Sequence, residues 1–338
     1  MSAAAHVVAK AASEYRSDNA PLYFTVPLLL FCAACFILFF GWTQISPLLV
    51  ESCTALLDGS DRCATGINKI RIYALSFALF PLILLLERRF PADPKQGAFS
   101  PGLVTDAWWF LVFPLIGVLL PTLFAELLQG LFGAPLQAVR MNLVGTLPFA
   151  AQVVVVILFA DFMAYSSHWI RHKISLFWEF HKIHHSQEQL NYFTAVRLHP
   201  LDLIANVFIR FLPFTLLDME MSVAVFMGWI AFQRFHEMFV HANVRTNLGF
   251  LRYLLVTPQS HRLHHSIEKQ HVDKNFGDIF SIWDFIFGTQ VREYQSYPLL
   301  GVADPHVPRN RSAGILDGAR TFLAELWYPV VALLRPRR

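Results

Sequence analysis

The stretch "LPFAAQVVVVILFADFMAYSSHWIRH", residues 147–172, joins an apolar run to two histidines. The run from Leu147 to Tyr165 is close to the roughly 20 mostly apolar residues that a helix needs to cross a bilayer. His168 and His172 follow it four residues apart, so on a continuing helix they share one face, with about 5–6 Å between Cβ atoms. The stretch predicts a membrane-spanning helix whose end directs two imidazoles toward one point.

The composition of the whole chain agrees with a membrane protein. Of 338 residues, 55% are hydrophobic and 15% are charged, whereas a soluble domain carries roughly 25% charged residues. The formal net charge of +3 is small and the Lys and Arg residues are dispersed, which argues against binding to nucleic acid.

Six apolar segments predict an all-α, polytopic integral membrane protein with four to six transmembrane or re-entrant helices. A charge at mid-bilayer is costly, so Arg210 in the fifth segment keeps open a re-entrant hairpin for the last two. The six segments are Leu22–Trp42, Ile70–Leu86, Ala107–Leu128, Leu147–Tyr165, Leu201–Leu217 and Met219–Phe235.

The distribution of cations predicts the orientation. Basic residues follow the second segment in "ERRFPADPKQG", follow the fourth in "RHK", and end the chain in "RPRR"; by the positive-inside rule these regions are cytoplasmic. The loop between the first two segments then lies outside, where Cys53 and Cys63 form either a disulfide or two unrelated thiols.

We expect three parts along the chain. Residues 1–100 form an N-terminal helical pair with the external cysteine loop, residues 101–295 form the catalytic domain, and residues 296–338 form a C-terminal interfacial tail. The linker "PADPKQGAFSPG", residues 91–102, separates the first part from the second.

Twelve of the fourteen histidines lie between His168 and His271, in segments assigned to the cytoplasmic face. "HKIHH", residues 181–185, and "HRLHH", residues 261–265, each place imidazoles three and four residues apart, on one helical face. With His168 and His172 they supply eight histidines, more than the four ligands of a structural zinc site. Eight histidines therefore favour two bound metal ions over one.

The ligand type narrows the choice of metal. Neutral imidazole suits zinc, copper, iron and nickel, whereas magnesium and calcium take oxygen ligands. No cysteine lies near the cluster, which argues against an iron–sulfur centre. Spacing alone does not choose among the four metals.

The order of the histidine boxes resembles the fatty acid hydroxylase/sterol desaturase superfamily of integral-membrane di-iron enzymes, in particular its bacterial sterol-desaturase-like members. The resemblance runs from about Phe159 to Gln290 and is carried by "FHKIHHS", "FVHANV", "TPQSHRLHHS" and "DKNFGDIFSIWDFIFGT". It implies nine metal ligands: His168, His172, His181, His184, His185, His241, His261, His264 and His265.

The resemblance also implies a non-haem lipid hydroxylase or desaturase. Two iron ions (Fe2+/Fe3+) and dioxygen would attack a C–H bond of a sterol-like, fatty acyl or other long-chain substrate. An external electron donor, such as a ferredoxin, a cytochrome or a flavin reductase, is implied as a partner, and a bacterial inner membrane as the location. The alternative is a histidine-lined metal-binding or metal-transport protein, although the helices before His168 are nearly free of ionisable groups.

Several roles stay open at this stage. His199, His236 and His271 are either ligands or residues that cap helices and line the pocket, while "IWDFIFG" is more typical of an interfacial segment than of a substrate box. Arg171, Lys173 and Lys182 either dock an acidic redox partner or merely signal topology. The candidates for fixing the outer nitrogens of the ligands are Asp161, Glu179, Glu237, Asp278 and Asp284.

Overall fold

A computed structural model describes residues 80–97, 99–113, 120–137, 147–216 and 223–335 of the chain. In these ranges the chain is mostly helical, and its β pairing is limited to three isolated bridges. The all-α prediction is therefore confirmed for the described residues. The segment Leu22–Trp42, most of the segment Ile70–Leu86, and the loop with Cys53 and Cys63 lie outside them.

Helices account for most of the described chain. Residues 80–89 are helical. The helices that follow are α1 (Pro101–Phe113), α2 (Leu120–Gln137), α3 (Phe149–Lys173), α4 (Ser175–His185), α5 (Pro200–Leu216), α6 (Val223–His241), α7 (Pro258–His264), α8 (Ile282–Ile286) and α9 (Ile315–Leu334). Short 3-10 helices cover Tyr192–Val196, Gly249–Tyr253 and Lys269–His271.

Helix α3 is the predicted span with the two histidines at its end. Among the described residues it is the one helix long and apolar enough to cross a membrane, with 25 residues and a mean hydropathy of 1.9. Val154 and Leu158 are exposed on its outer side, whereas Ala160 and Ala164 are buried against the protein. The total of four to six membrane helices stays a prediction.

The turn after α3 brings the first two histidine boxes together. Ile174 has an extended backbone (φ −96°, ψ 114°), and it ends α3 and precedes the first residue of α4. The two helices pack against each other. A one-residue break thus allows α4 to fold back beside the end of α3.

Helices α5 and α6 correspond to the fifth and sixth apolar segments. Helix α5 packs on α2, α3 and α4, while α6 packs on α7 and on the 3-10 helix Tyr192–Val196. Arg210 on α5 lies 3.9 Å from a carboxylate oxygen of Asp278. Whether this pair of helices crosses the bilayer or dips into it stays a prediction.

The C-terminal helix α9 packs on α1 and α4. Trp109 of α1, Ile183 of α4 and Phe322 of α9 share one buried cluster, and the rings of Trp109 and Phe322 meet edge to face at 4.8 Å. Through this core, α4, which carries the second histidine box, packs against α1 and α9. The division of the chain at residues 100 and 295 stays a prediction.

Candidate metal centre

Four helices bring the nine histidines singled out by the sequence into one buried region. Helix α3 supplies two, α4 supplies three, α6 supplies one, and α7 with the residue that follows it supplies three. They form two groups, and within each group one nitrogen of every ring lies within 4.8 Å of those of the other rings. The groups are His168, His172, His181, His185 and His264, and His184, His241, His261 and His265.

In the five-histidine group, the Nε2 atoms face inward. The Nε2 atoms of His172 and His185 lie 3.1 Å apart. Those of His168, His181 and His264 are buried and have no hydrogen-bond partner. Unpaired buried nitrogens are costly, so their convergence points to a ligand that accepts their lone pairs.

The four-histidine group is similarly compact. The Nε2 atom of His241 lies 3.2 Å from that of His184 and 2.8 Å from that of His261, and the Nε2 atoms of His261 and His265 are 3.1 Å apart. All four residues are at most 5% exposed. The two groups adjoin, since the rings of His185 and His265 stack with centroids 4.3 Å apart.

The local sequence explains how the third box is placed. Thr257 caps α7 by accepting a hydrogen bond from the backbone N–H of Ser260, whose side chain bonds back to Thr257. Pro258 occupies the first turn, where its missing N–H costs nothing. The helix therefore begins at a fixed residue, and one turn later it presents His261, His264 and His265 to the centre.

Burial keeps the imidazoles neutral. Desolvation lowers the pKa of the six histidines on α4, on α7 and directly after α7 well below the ordinary value of 6.5, and nearby histidine and arginine charges lower it further. The six are His181, His184, His185, His261, His264 and His265. Neutral rings are the form that binds a metal.

Outer hydrogen bonds hold several rings by their second nitrogen. The Nδ1 atoms of His168 and His264 donate to the carbonyl oxygens of Phe276 and Lys274, at 2.9 and 2.7 Å. The Nδ1 atom of His241 donates to the carbonyl of Glu237 at 2.6 Å. Each bond leaves the lone pair of Nε2 directed at the centre.

Two carboxylates also approach the ligands from outside. The buried Asp202 lies 3.1 Å from His181 Nδ1. Asp273 lies 3.5 Å from His172 Nδ1, and the contacts with His172 and Lys173 lower the pKa of Asp273 to about 2. Sequence reasoning did not identify either residue, because 21 and 101 positions separate them from their partners (202 − 181 and 273 − 172).

The carboxylates proposed from sequence act elsewhere. Asp161 accepts hydrogen bonds from the backbone of Ile279 and Phe280 and from the Trp283 indole. Asp284 accepts from the backbone N–H groups of Phe276 and Gly277. Both organise the chain beside the centre. Three others stay outside the two groups: Glu179 pairs with Lys182, the Glu237 carboxylate with Arg234, and Asp278 with Gln233.

The three histidines of open role lie outside both groups. His199 accepts a hydrogen bond from the backbone N–H of Leu201 and so caps α5. His236 bonds through Nε2 to the carbonyl of Val256. His271 is fully buried between Ser266 and Glu293. Their contacts are those of structural residues.

Arg197 joins the second histidine box to the flanking helices. Its guanidinium donates to the carbonyl of Ile183 on α4 at 2.9 Å and to the carboxylate of Asp106 on α1 at 2.7 Å. It also pairs with Glu325 on α9 and bonds to the Ser186 hydroxyl. Asp106 and Glu325 are both fully buried, so this arginine fixes the end of α4 through charge-assisted hydrogen bonds.

The basic residues considered for docking are paired in the structure. Arg171 is buried and bonds to Asp202, and Lys173 pairs with Asp273. Lys182, also buried, pairs with Glu179 and Asp304. These cations do not form an open positive surface, and their pairing favours a structural role.

Comparison with known proteins gives a family match over the same region. Residues 153–289 match the model of the family described as fatty acid hydroxylase. This segment starts within α3, ends at Thr289 and includes all nine clustered histidines.

Two curated relatives illustrate the similarity. Human alkylglycerol monooxygenase is 33% identical over 129 residues, which are 38% of this chain and 28% of that protein. Ornithine lipid hydroxylase OlsE from Rhizobium tropici is 31% identical over 183 residues, which are 54% of this chain and 51% of that protein. The match thus spans about half of the bacterial relative and less of the human one. No solved structure matches the chain significantly.

Proposed function

We propose that the protein is a membrane-bound, iron-dependent oxidoreductase, on the premise that residues 153–289 match the fatty acid hydroxylase family. In this proposal it uses dioxygen to hydroxylate a C–H bond of a lipid, and the nine clustered histidines are its metal ligands. The observation that carries the proposal is the convergence of nine buried imidazoles in two adjoining groups.

The geometry of the donors fits metal ions. With a metal–nitrogen bond of about 2.1 Å, two ligands at right angles have nitrogens about 3.0 Å apart. The four close Nε2 contacts in the centre lie between 2.8 and 3.2 Å. Two groups of five and four nitrogens favour two ions, one in each group.

The reaction class favours iron among the metals that imidazole accepts. Zinc has no redox chemistry, so it does not serve an oxidation. Iron with histidine ligands and open positions is a known arrangement for oxygenases. When bound, iron would activate dioxygen and oxidise the C–H bond.

The residues around the ligands orient them and exclude water. The hydrogen bonds from His168 and His264 to backbone carbonyls hold the proton at Nδ1 and leave Nε2 unprotonated. The fully buried Phe276 packs its ring 5.0 Å from that of His172 and 5.7 Å from those of His168 and His264. An apolar wall of this kind excludes bulk water from the reacting centre.

The names of the relatives favour hydroxylation of a polar lipid over desaturation. One is named a monooxygenase of alkylglycerols and the other a hydroxylase of ornithine lipids. Hydroxylation consumes one dioxygen, two electrons and two protons, and it yields the alcohol and one water. The electrons require an external donor, and we propose a soluble or membrane-bound redox protein for this role.

We further propose that the protein lies in a bacterial inner membrane with the histidine cluster on the cytoplasmic side. The cations that flank the apolar segments support this orientation. The alternative of metal transport has no supporting observation, because the nine imidazoles cluster at the end of α3 instead of following a path through it.

Product analysis tests this function. The purified full-length chain, loaded with iron, would be incubated with bacterial lipid extract, 18O2, NADPH, a ferredoxin and its reductase, and the lipids analysed by mass spectrometry. We expect a lipid 18 mass units heavier, and no such product from the double variant His184→Ala/His264→Ala. Equal amounts of product from both proteins, or a product without 18O, would refute the proposal.

A further inference from the structure

The two histidine groups differ in what holds the outer face of each ring. We propose that the five-histidine group binds its metal ion tightly and that the four-histidine group binds a second ion weakly and exchanges it. The inference rests on the proposed metal-binding role of the nine histidines. The inference concerns the residues that contact the ligands from outside, and the family match does not specify those residues.

A single loop supplies three of the outer contacts in the five-histidine group. Its residues, 273–276, follow the 3-10 helix Lys269–His271. The loop offers the Asp273 carboxylate to His172, the Lys274 carbonyl to His264 and the Phe276 carbonyl to His168. Three ligands from two different helices are thus held by four consecutive residues.

The loop is itself fixed by other hydrogen bonds. Asp284 accepts the backbone N–H of Phe276 at 2.8 Å, and Thr289 donates its hydroxyl to the same carboxylate at 2.6 Å. Asn275 donates its amide to the carbonyl of Ser260 on α7 and accepts the N–H of Val291. The acceptors of the loop are therefore preorganised relative to the histidines of α7.

Asp202 provides the fourth outer contact. Its carboxylate lies 3.1 Å from His181 Nδ1, and Arg171 Nη1 lies 2.9 Å from both that carboxylate and that nitrogen. Asp202 is 1% exposed. A carboxylate that accepts the second N–H of an imidazole fixes the ring and raises its basicity as a ligand. Four of the five rings in this group are thus oriented from outside.

The four-histidine group has one such contact. His241 donates from Nδ1 to the carbonyl of Glu237. The Nδ1 atoms of His184, His261 and His265 are buried and have no hydrogen-bond partner. Within the described residues, no hydrogen bond to Nδ1 therefore fixes the proton position of these three rings.

This difference predicts unequal affinities. Removing one outer partner of a ligand typically costs 10- to 100-fold in metal affinity. The first group has contacts to four rings and the second to one, so we expect the two dissociation constants to differ by at least about 10-fold.

A chelator titration tests the inference without measuring activity. The detergent-purified full-length protein would be loaded anaerobically with 57Fe(II) and exposed to rising concentrations of ferrozine, and the retained iron measured after desalting. We expect two steps of one iron per chain, with midpoints at least about 10-fold apart. The Mössbauer spectrum of the half-depleted protein should show one iron environment.

Three variants assign the steps. Asp273→Ala should shift the tighter step about 10-fold toward lower chelator concentration and leave the weaker step in place. His261→Ala should remove the weaker step and retain the tighter one. The matched control is Asp317→Ala, which removes an aspartate paired with Arg320 on the exposed side of α9 and should move neither step.

The outcomes separate this inference from the proposed function. Release of two irons in a single step from the parent protein, or an effect of Asp273→Ala on the weaker step alone, would overturn unequal binding, although the protein would still be shown to bind iron. Failure to bind iron at all would overturn both.

Discussion

The substitution Arg197→Ala should destabilise the protein and loosen the second histidine box. The side chain is 3% exposed and lies between two fully buried carboxylates, those of Asp106 and Glu325. It also donates to the carbonyl of Ile183, one residue before His184. The change therefore removes the cation that compensates two buried acids and a bond that fixes the end of α4.

The cost follows from the charges left behind. Removing one partner of a buried ion pair costs about 3–5 kcal/mol. Burial raises the pKa of Glu325 to about 7 even beside Arg197, so without the guanidinium this carboxyl takes up a proton and loses its charge. Asp106 keeps hydrogen bonds from Gln187, Asn191 and Thr194. We therefore expect the lower end of the range, about 3 kcal/mol.

Thermal unfolding in detergent measures this effect. For a chain of 338 residues, a loss of about 3 kcal/mol corresponds to a decrease in Tm of about 4 °C. Arg320→Ala is the control, because Arg320 forms an exposed pair with Asp317 and such pairs contribute little. The double variant Arg197→Met/Glu325→Gln should recover part of the loss. A Tm for Arg197→Ala within 2 °C of the parent protein would refute this reasoning.

Two further predictions concern the loop beside the centre and the titration of the histidines. A Cβ atom at Gly277 would lie 2.8 Å from both an Asp284 carboxylate oxygen and the Phe280 carbonyl, so Gly277→Ala should displace the 273–276 loop and lower iron content. The control is Gly130→Ala on α2, where an added Cβ meets no atom within 4 Å; it should leave iron content unchanged. Burial lowers the pKa of the six cluster histidines on α4, on α7 and directly after α7. Below pH 6.5 these histidines therefore become protonated in the unfolded chain while they stay neutral in the folded chain. The metal-free protein should therefore keep its full stability above pH 6.5 and lose up to about 1.4 kcal/mol per histidine per pH unit below it; a Tm that stays constant from pH 7.5 to pH 5.5 would contradict this.

The sequence predicted the elements whose chemistry is local. The apolar run and the four-residue spacing of His168 and His172 are both properties of one helix, and α3 bears them out. The two HxxHH boxes likewise place their histidines on α4 and on α7 with its next residue. Their convergence was implied by the resemblance to a family and is seen in the two groups.

The contacts that orient the ligands were not accessible from sequence. Asp202 and Asp273 act on histidines of other helices, so no local spacing marks them. Asp161 and Asp284 were the candidates offered by the sequence, yet they bond to the backbone of residues 276–280. Three of the acceptors are backbone carbonyls, which any residue type provides.

Metal content by elemental analysis of the detergent-purified protein tests the central claim most directly, together with the double variant His184→Ala/His264→Ala, which removes one ligand from each group. We predict about two irons per chain in the parent protein and a loss of most of that iron in the double variant. One zinc per chain, or a metal content that the double variant leaves unchanged, would mean that the histidine cluster is not an iron centre.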